Sequence, residues 1–454
     1  MQGAVFNMSA KISFVSLGCD KNLIDSEIML GLIDENGYII TDDFAEADII
    51  IVNSCGFIMN ANQEAIDKIL EVADNKTDGC CKGIIVTGCM AQRYQDEIFE
   101  TLPEVDAVVG TGDFEKIGDV IKAILDGQKQ IKLVTDRDHT LEETNSYKRI
   151  VTTTGGFGYL KIAEGCDNHC TYCTIPSLRG KYRSRTMPSL VREAEILAEK
   201  GVRELILIAQ DVSLYGKDIY GEKQLHILLK RLSEIEDIKW IRLLYCYPEN
   251  IYPELIEEMA SNPKVLHYLD MPIQHSTDKI LRMMGRKSNT QGLKDIISKL
   301  RFAMPDICLR TTLIVGFPGE TEEDFSQLCD FISEIKFDRL GVFEYSREDG
   351  TPAYKMPDQV DEEVKAQRKD GILALQKSIS AEICSGFVGK ELEVIVEGKL
   401  DDEDDVYCGR SYRDCYEIDG FVFFNSSSEL IAGDFYKIRI ISAGDYDLIG
   451  EMIQ

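Results

Sequence analysis

The chain has 454 residues, more than one hydrophobic core usually organises, so we expect several domains. Hydrophobic residues make up 44% of the sequence, and no apolar run approaches the roughly 18 residues that span a bilayer. The sequence therefore predicts no membrane segment. Acidic residues outnumber basic ones by 79 to 50, and a net charge of -29 argues against a protein built mainly to grip nucleic acid.

The first residues lack a basic stretch followed by a long apolar run and a cleavage site, so we expect a cytoplasmic protein. In that reducing compartment the 14 cysteines are better interpreted as thiols and metal ligands than as a disulfide framework.

The N-terminal part alternates β-branched runs with helical patterns, which is typical of a parallel α/β sheet domain. We predict this domain over residues 10–127. Its strand-like runs are KISFVSL, ADIIIVNS and GIIVTG, and its helical stretches are DSEIMLGLIDENG and NQEAIDKILEVADN. A polar stretch then leads to a boundary near residue 150.

A cysteine stands at the carboxyl end of each of these strand-like runs: Cys19 follows FVSLG, Cys55 follows IIIVNS and Cys89 follows IIVTG. Parallel strands deliver their carboxyl ends to one edge of the sheet, so we expect the three sulfurs to converge and to bind an iron–sulfur cluster. Taken singly, each is more typical of a buried inert thiol. Cys80 and Cys81, in the loop before the third strand, are rival ligands.

The alternation of strands and helices resumes at residue 159. The strand-like runs are YLKIAEG, ELILIAQ, IRLLYCYP, HYLDMPI, LRTTLIVGF and RLGVFEY. Five or six such units fit a full or partial TIM-like barrel, which we place at 152–383.

Cys166, Cys170 and Cys173 form a C-x3-C-x2-C run directly after the first of these strands. Three thiolates can hold three irons of a cubane cluster and leave the fourth iron open to the amine and carboxylate of S-adenosylmethionine. The alternatives are chance spacing or a zinc site, for which His169 is the local fourth ligand. Tyr172 is a candidate neighbour of the cluster or of adenine.

Further pocket candidates stand at the ends of later strands, where a barrel gathers its site residues. One of these strands ends in the glycine turn GFPGE, which would let the backbone approach a ligand closely. Glycine turns also occur in ordinary loop packing, so this short motif alone does not identify a binding site. These candidates are Gln210, Gln274, His275, Gly316, Gly319 and Glu320.

Residues 384–454 change character to short strands: ELEVIVEGK, GFVFFNS, DFYKIRIIS and DLIGEMI. This pattern predicts a small antiparallel β-barrel. The acidic run at 401–405 is interpreted as a solvated loop. The remaining cysteines are interpreted as structural: Cys246, Cys308, Cys329, Cys384, Cys408 and Cys415.

Four segments together resemble the methylthiotransferases of the radical S-adenosylmethionine superfamily, over nearly the whole chain. They are similar to the branch that modifies an aspartate of small-subunit ribosomal protein twelve. The segments are SLGCDKNLIDSEIMLG, NSCGFI, GYLKIAEGCDNHCTYCTIPSLRGKYRSR and VGFPGETEEDF.

The resemblance implies a cluster domain, a radical barrel and a C-terminal TRAM domain. It also implies two 4Fe-4S clusters and S-adenosylmethionine. The cluster on Cys166, Cys170 and Cys173 would generate a radical at the aspartate β-carbon, and the cluster on Cys19, Cys55 and Cys89 would present the sulfur. The cofactors carry the chemistry, so no side chain is assigned a catalytic role.

A related branch, which modifies an adenosine of transfer RNA, is the main alternative. Residues 385–454 carry 6 basic against 16 acidic side chains, so this domain should repel phosphate and attract a basic ribosomal protein, free or in the subunit. Nucleic acid is then not the primary substrate, and a reductant protein is a further expected partner.

Two observations leave other interpretations open. A basic group (Arg179, Lys181, Arg183 and Arg185) follows the cluster loop and can contact phosphate, a cofactor carboxylate or the excess acids. A different class of protein, a non-enzymatic two-cluster electron carrier, shares the cysteines but has no use for an open iron.

Overall fold

The computed structural model describes residues 9–135, 149–400, 403 and 405–453, so most of the acidic run at 401–405 and part of the polar linker lie outside them. The chain divides into two compact units. The first comprises the described residues up to Thr152 together with 164–168 and 173–185. The second comprises 153–163, 169–172 and the described residues from 186 onward. The domain boundaries at 127, 152 and 384 stay predictions.

The first unit is built on a parallel sheet. Its strands are β1 (Lys11–Ser16), β2 (Ile39–Ile40), β3 (Ile49–Ser54), β4 (Gly83–Gly88), β5 (Ala107–Val109) and β6 (Ile131–Leu133). Its helices are α1 (Asp20–Glu35), α2 (Met59–Ala73), α3 (Asn75–Asp78), α4 (Cys89–Tyr94), α5 (Asp96–Thr101) and α6 (Ile117–Leu125). The strand order is β2-β1-β3-β4-β5-β6, and every pair is parallel.

The predicted parallel α/β sheet is confirmed. All residues of β3 and β4 are buried, because an uninterrupted apolar run suits a central strand covered on both faces. The prediction missed β2, β5 and β6, which have only two or three residues each and so carry little periodicity.

The middle of the chain contributes a further set of elements. In chain order they are β7 (Phe157–Lys161), β8 (Ala163–Glu164), α7 (Ile175–Arg179), β9 (Arg183–Ser184), α8 (Met187–Glu199), β10 (Glu204–Ile208), α9 (Lys217–Tyr220), α10 (Leu225–Ser233), β11 (Trp240–Leu243), α11 (Pro253–Ser261), β12 (Val265–Asp270), α12 (Asp278–Met283), α13 (Thr290–Ala303), β13 (Cys308–Val315), α14 (Glu322–Ile335), β14 (Arg339–Glu344) and α15 (Glu362–Ser385).

The second unit contains an open parallel sheet in the order β14-β13-β12-β11-β10-β7. Each strand pairs in parallel with the sheet strand before it in the chain, which is the winding of a TIM-like barrel. Among the described residues the sheet ends at β7 and β14 without closing. The partial barrel is therefore confirmed, and all six predicted strands are present.

The C-terminal part of the second unit is a closed barrel. Its strands are β15 (Glu391–Lys399), β16 (Val406–Ser411), β17 (Val422–Asn425), β18 (Phe435–Ala443) and β19 (Leu448–Met452). The barrel closes in the order β15-β16-β17-β19-β18. It is antiparallel as predicted except between β17 and β19, which run parallel. A ring of five strands cannot alternate direction all the way round, so one parallel pair is required. The prediction missed β16.

None of the helices formed by the described residues is both long and apolar enough to cross a bilayer.

Candidate metal centres

The structure brings Cys19, Cys55 and Cys89 together at the carboxyl edge of the first sheet. Cys19 is the residue before α1, Cys55 follows β3, and Cys89 is the first residue of α4. Gly18, the residue before Cys19, lies against the side chain of Cys55, and Gly56, the residue after Cys55, lies against the backbone of Cys89, so the three cysteines are neighbours. The convergence expected from the strand ends is present.

Two glycines allow this close approach. A side chain at Gly18, whose φ is +93°, would place its Cβ 2.9 Å from the Cβ of Cys55. A side chain at Gly56 would place its Cβ 2.6 Å from the carbonyl carbon of Cys89. Any larger residue would push the cysteine loops apart, because backbone atoms cannot approach a Cβ so closely.

Burial sets the protonation of Cys55 and Cys89. It raises the pKa of Cys55 to about 11, and it also raises the pKa of the buried Cys89. The guanidinium of Arg179 opposes both shifts because it favours the thiolate. The thiols therefore hold their protons near neutral pH and would release them on binding iron.

Arg179 is a buried cation at this edge. It is 2% exposed and lies at the end of α7, six residues after Cys173. Its Nη1 is 2.8 Å from Oδ2 of Asp25 and 3.1 Å from Oε2 of Glu164. Of the interpretations left open for the basic group, pairing with acids is the one the structure shows for Arg179.

Asn22, in the first turn of α1, was not among the residues predicted for the site. Its Nδ2 donates to the carbonyl oxygens of Leu17 and Ser54, each at 3.1 Å. Its Oδ1 lies 3.8 Å from the sulfur of Cys89 and also accepts from Arg179. The only sequence signal was an amide three residues after a candidate ligand.

The rival cysteines lie elsewhere on the sheet. Cys81 precedes β4, so it stands at the opposite end of that strand from Cys89. Its thiol donates to the carbonyl oxygen of Gly83 at 3.4 Å, and the side chain belongs to the apolar core. Cys80 is exposed in the same loop. Neither joins the other three.

Cys166 and Cys173 belong to the first unit. The sulfur of Cys166 accepts from the backbone N–H of Asn168, and that of Cys173 accepts from Ile175, each at 3.4 Å. Backbone donors of this kind stabilise thiolates. The backbone N–H of Cys166 in turn donates to the carbonyl oxygen of Gly180 at 3.1 Å.

Cys170 belongs to the second unit, where its sulfur lies 3.8 Å from the hydroxyl of Tyr247. The ring of Tyr247 stacks under the guanidinium of Arg286, with 4.1 Å between Cζ and the ring centroid. A side chain at Gly285 would place its Cβ 2.6 Å from the carbonyl oxygen of His169, so this turn needs glycine. Neither Tyr247 nor Arg286 was predicted from the sequence, although Tyr247 is the next-to-last residue of the predicted strand run IRLLYCYP.

Tyr172 packs in an apolar cluster of the second unit. Its ring meets the edge of Phe317 at 6.4 Å between centroids. Phe317 belongs to the glycine turn after β13, so the cluster loop and that turn are in contact.

The glycine turn itself is held by Glu320. Both Gly316 and Gly319 have positive φ, at +70° and +81°. The carboxylate of Glu320 accepts from the backbone N–H of Phe317 at 3.1 Å and pairs with Arg368 at 3.1 Å. Burial raises its pKa to about 7 against these two partners. The carboxylate of Glu320 therefore stabilises its own turn.

The other strand-end candidates differ in exposure: Gln210 and Gln274 are partly buried, whereas His275 is fully buried. Gln210 follows β10, and Gln274 has a φ of +70° and bridges to β13 through its backbone. His275 is fully buried, its Nδ1 accepts from the backbone N–H of Thr277 at 3.1 Å, and burial lowers its pKa to about 3. It is a neutral core histidine.

Among the described residues, no three His, Cys, Asp or Glu side chains meet at a point that could hold a single metal ion. The thiolates of a cubane cluster bind different iron atoms, so a cluster does not require them to meet at one point.

Three family models match the chain: the uncharacterized protein family UPF0004 over residues 11–110, the radical SAM superfamily over 160–332 and the TRAM domain over 388–453. A protein of Lachnoclostridium phytofermentans named ribosomal protein uS12 methylthiotransferase RimO is 51% identical, covering 97% of this chain and 99% of its own. A protein of the same name from Acetivibrio thermocellus is 50% identical over 98% of this chain and 99% of its own. The chain belongs to the uS12 methylthiotransferase family.

Solved structures show the same fold at low identity. The radical S-adenosylmethionine methyltransferase TsrM of Kitasatospora setae matches with a TM-score of 0.55 at 15% identity, covering 88% of this chain and 81% of that one.

Proposed function

We propose that this chain adds a methylthio group to the β-carbon of an aspartate in ribosomal protein uS12, using S-adenosylmethionine and two 4Fe-4S clusters. The observation that carries this function is identity of about half the residues with uS12 methylthiotransferases over nearly the full length of both chains. The convergence of Cys19, Cys55 and Cys89 supports it independently.

The donor chemistry at both cysteine sets suits iron–sulfur clusters, because each set offers three sulfur ligands. We assign one cluster to Cys166, Cys170 and Cys173, and the other to Cys19, Cys55 and Cys89. When bound, the first with S-adenosylmethionine supplies the radical that takes hydrogen from the substrate, and the second supplies the sulfur.

The protein's own residues prepare these sites. Gly18 and Gly56 let the N-terminal cysteine loops close together, and backbone N–H groups point at the sulfurs of Cys166 and Cys173. Tyr247 covers the sulfur of Cys170 and is itself fixed by Arg286. These contacts fix the orientation of the thiolates and limit the access of water.

The charge of the C-terminal barrel favours a protein substrate over transfer RNA. Two of its six basic residues, Arg410 and Arg413, are buried and paired with acids of the parallel sheet and its loops. They are not available to phosphate. The surface that remains is acidic and suits a basic ribosomal protein. A reductant protein and a cytoplasmic location complete the proposal, since the chemistry needs electrons and free thiols.

Mass spectrometry of uS12 and of bulk transfer RNA after anaerobic incubation tests the proposal. We expect a methylthio group on uS12 alone. Cys170→Ala should abolish 5'-deoxyadenosine formation, whereas Cys55→Ala should keep it and lose the methylthio product.

Cys80→Ala, which removes an exposed rival thiol, is the matched control and should keep both activities. A methylthio group on transfer RNA would contradict the substrate assignment. Absence of both methionine and 5'-deoxyadenosine in the wild type would favour an electron carrier.

A further inference from the structure

The N-terminal cysteines share one polar neighbour, Asn22. This amide is fully buried. Its Nδ2 bonds the carbonyl oxygen of Leu17, two residues before Cys19, and that of Ser54, the residue before Cys55. Its Oδ1 faces the sulfur of Cys89. One side chain therefore ties together the three loops that carry the cysteines.

Asn22 is held in turn by two groups. Its Oδ1 accepts from Nη2 of Arg179. Its backbone carbonyl accepts from Nδ2 of Asn53 at 2.9 Å, next to the end of β3. Because the Oδ1 accepts a hydrogen bond from the guanidinium, the Nδ2 group must point at the two carbonyls, and the amide orientation is fixed.

Arg179 also acts on Cys89: burial raises the pKa of this thiol, and the guanidinium opposes that rise because it favours the thiolate. It is buried with Asp25 and Glu164, and these carboxylates compensate its charge. A planar guanidinium can serve several acceptors at once, which an ammonium on a flexible stem cannot do in the same geometry.

We propose that Asn22 and Arg179 are the positioning pair of the N-terminal cluster: Asn22 fixes the relative placement of the three cysteine loops, and Arg179 locks Asn22 and stabilises negative charge on the Cys89 sulfur. This inference rests on the proposed assignment of Cys19, Cys55 and Cys89 as cluster ligands. A cation against a ligand sulfur also favours the reduced cluster, so Arg179 raises its midpoint potential.

The test uses the full-length chain with Cys166, Cys170 and Cys173 changed to alanine, reconstituted so that only the N-terminal cluster is present. Iron per chain, the rate of iron loss to a chelator and the midpoint potential followed by electron paramagnetic resonance are measured. Thermal unfolding of the iron-free protein is measured in parallel.

Arg179→Gln should bind iron about 10- to 100-fold more weakly, the usual effect of removing a partner of a metal ligand, and should therefore lose iron faster and have a lower midpoint potential. Arg179→Lys keeps the charge but not the planar fork, so it should lose iron faster at a nearly unchanged potential. Asn22→Leu removes the amide at similar size and should also lose iron faster.

Matched controls carry the same changes away from the cysteines. Arg192→Gln alters an exposed arginine of α8, and Asn75→Leu removes an amide that bonds the carbonyl oxygen of Val72. Both should behave as the parent.

Iron loss and potential equal to the parent in Arg179→Gln and Asn22→Leu would overturn the inference. A loss of thermal stability in the iron-free variants as large as their loss of iron binding would also overturn the inference. It would show that the two residues only stabilise the fold. If Arg179→Gln does not fold, Arg179→Lys decides, and unchanged iron loss there overturns the inference. Cys55→Ala distinguishes failure of this inference from failure of the proposed cluster assignment. Full iron retention in that variant would show that Cys55 is not a cluster ligand.

Discussion

Burial decides the chemistry of single side chains in this protein. His275 follows a strand of the parallel sheet, as a pocket residue would, yet it is fully buried and its Nε2 has no hydrogen-bond partner among the described residues. The sequence showed where His275 stands relative to the strand, but not which way its side chain points. For Arg179 the sequence showed a basic residue after the cluster loop, but not its partners Asp25 and Glu164, which lie 154 and 15 residues away in the chain.

The buried His275 predicts a loss of stability in mild acid. Its pKa is about 3 in the folded protein against 6.5 ordinarily, and burial outweighs the nearby Asp324, while Arg368 and Lys279 lower it further. The unfolded chain therefore takes up a proton below pH 6.5 that the folded chain does not, and stability falls as pH falls.

Between about pH 6.5 and pH 5 this single group should cost about 1.5 kcal/mol of unfolding free energy. His275→Asn keeps an acceptor for the Thr277 N–H. Between these two pH values, its unfolding free energy should fall by about 1.5 kcal/mol less than that of the wild type. Denaturant unfolding at both pH values measures it, and equal losses in the two proteins would show that His275 does not titrate as inferred.

At the scale of elements, buried ion pairs join the C-terminal barrel to the parallel sheet of the second unit. Arg410, on β16, pairs with Glu204 of β10 at 2.7 Å and with Glu397 of β15 at 2.5 Å. Arg242 of β11 pairs with the same Glu204 at 2.6 Å and donates to the carbonyl oxygen of Tyr412. Glu204, Arg242 and Arg410 are fully buried and the side chain of Glu397 is 7% exposed, so each charge depends on its partners.

Arg410→Met should destabilise the protein by about 3–5 kcal/mol, because it removes one of the two cations of the buried Glu204 and leaves the mostly buried carboxylate of Glu397 without its cation. Arg439→Met is the matched control. Arg439 lies on β18 with 49% of its side chain exposed, and its pairs with Glu391 and Glu451 should contribute less than about 1 kcal/mol. Denaturant unfolding compares the two, and similar losses would refute the docking role of Arg410.

At the scale of the whole molecule, we expect charge to govern the encounter with the substrate. A net charge of -29 attracts a basic protein over distances that salt screens. The kcat/KM for uS12 should therefore fall steeply as ionic strength rises from about 0.05 M to about 0.5 M. Formation of 5'-deoxyadenosine without uS12, which needs no charged macromolecule, is the control and should change little. A kcat/KM independent of salt would contradict electrostatic steering.

The sequence by itself determined the architecture and the cysteine sets. Apolar runs followed by cysteines fixed β1, β3 and β4 and the edge at which Cys19, Cys55 and Cys89 meet, because the geometry of a parallel sheet is the same wherever such runs occur. The motif after β7 was equally local, since its spacing lies within one loop.

Only the tertiary structure decided which polar groups serve those cysteines and which serve the core. Asn22, Arg179 and Tyr247 reach their sulfurs from distant parts of the chain, and such pairings leave no local periodicity to detect. It also decided that β17 and β19 are the parallel pair of the barrel and that Arg410 is buried against Glu204. These outcomes depend on closure and on long-range packing, which residues close in sequence do not encode.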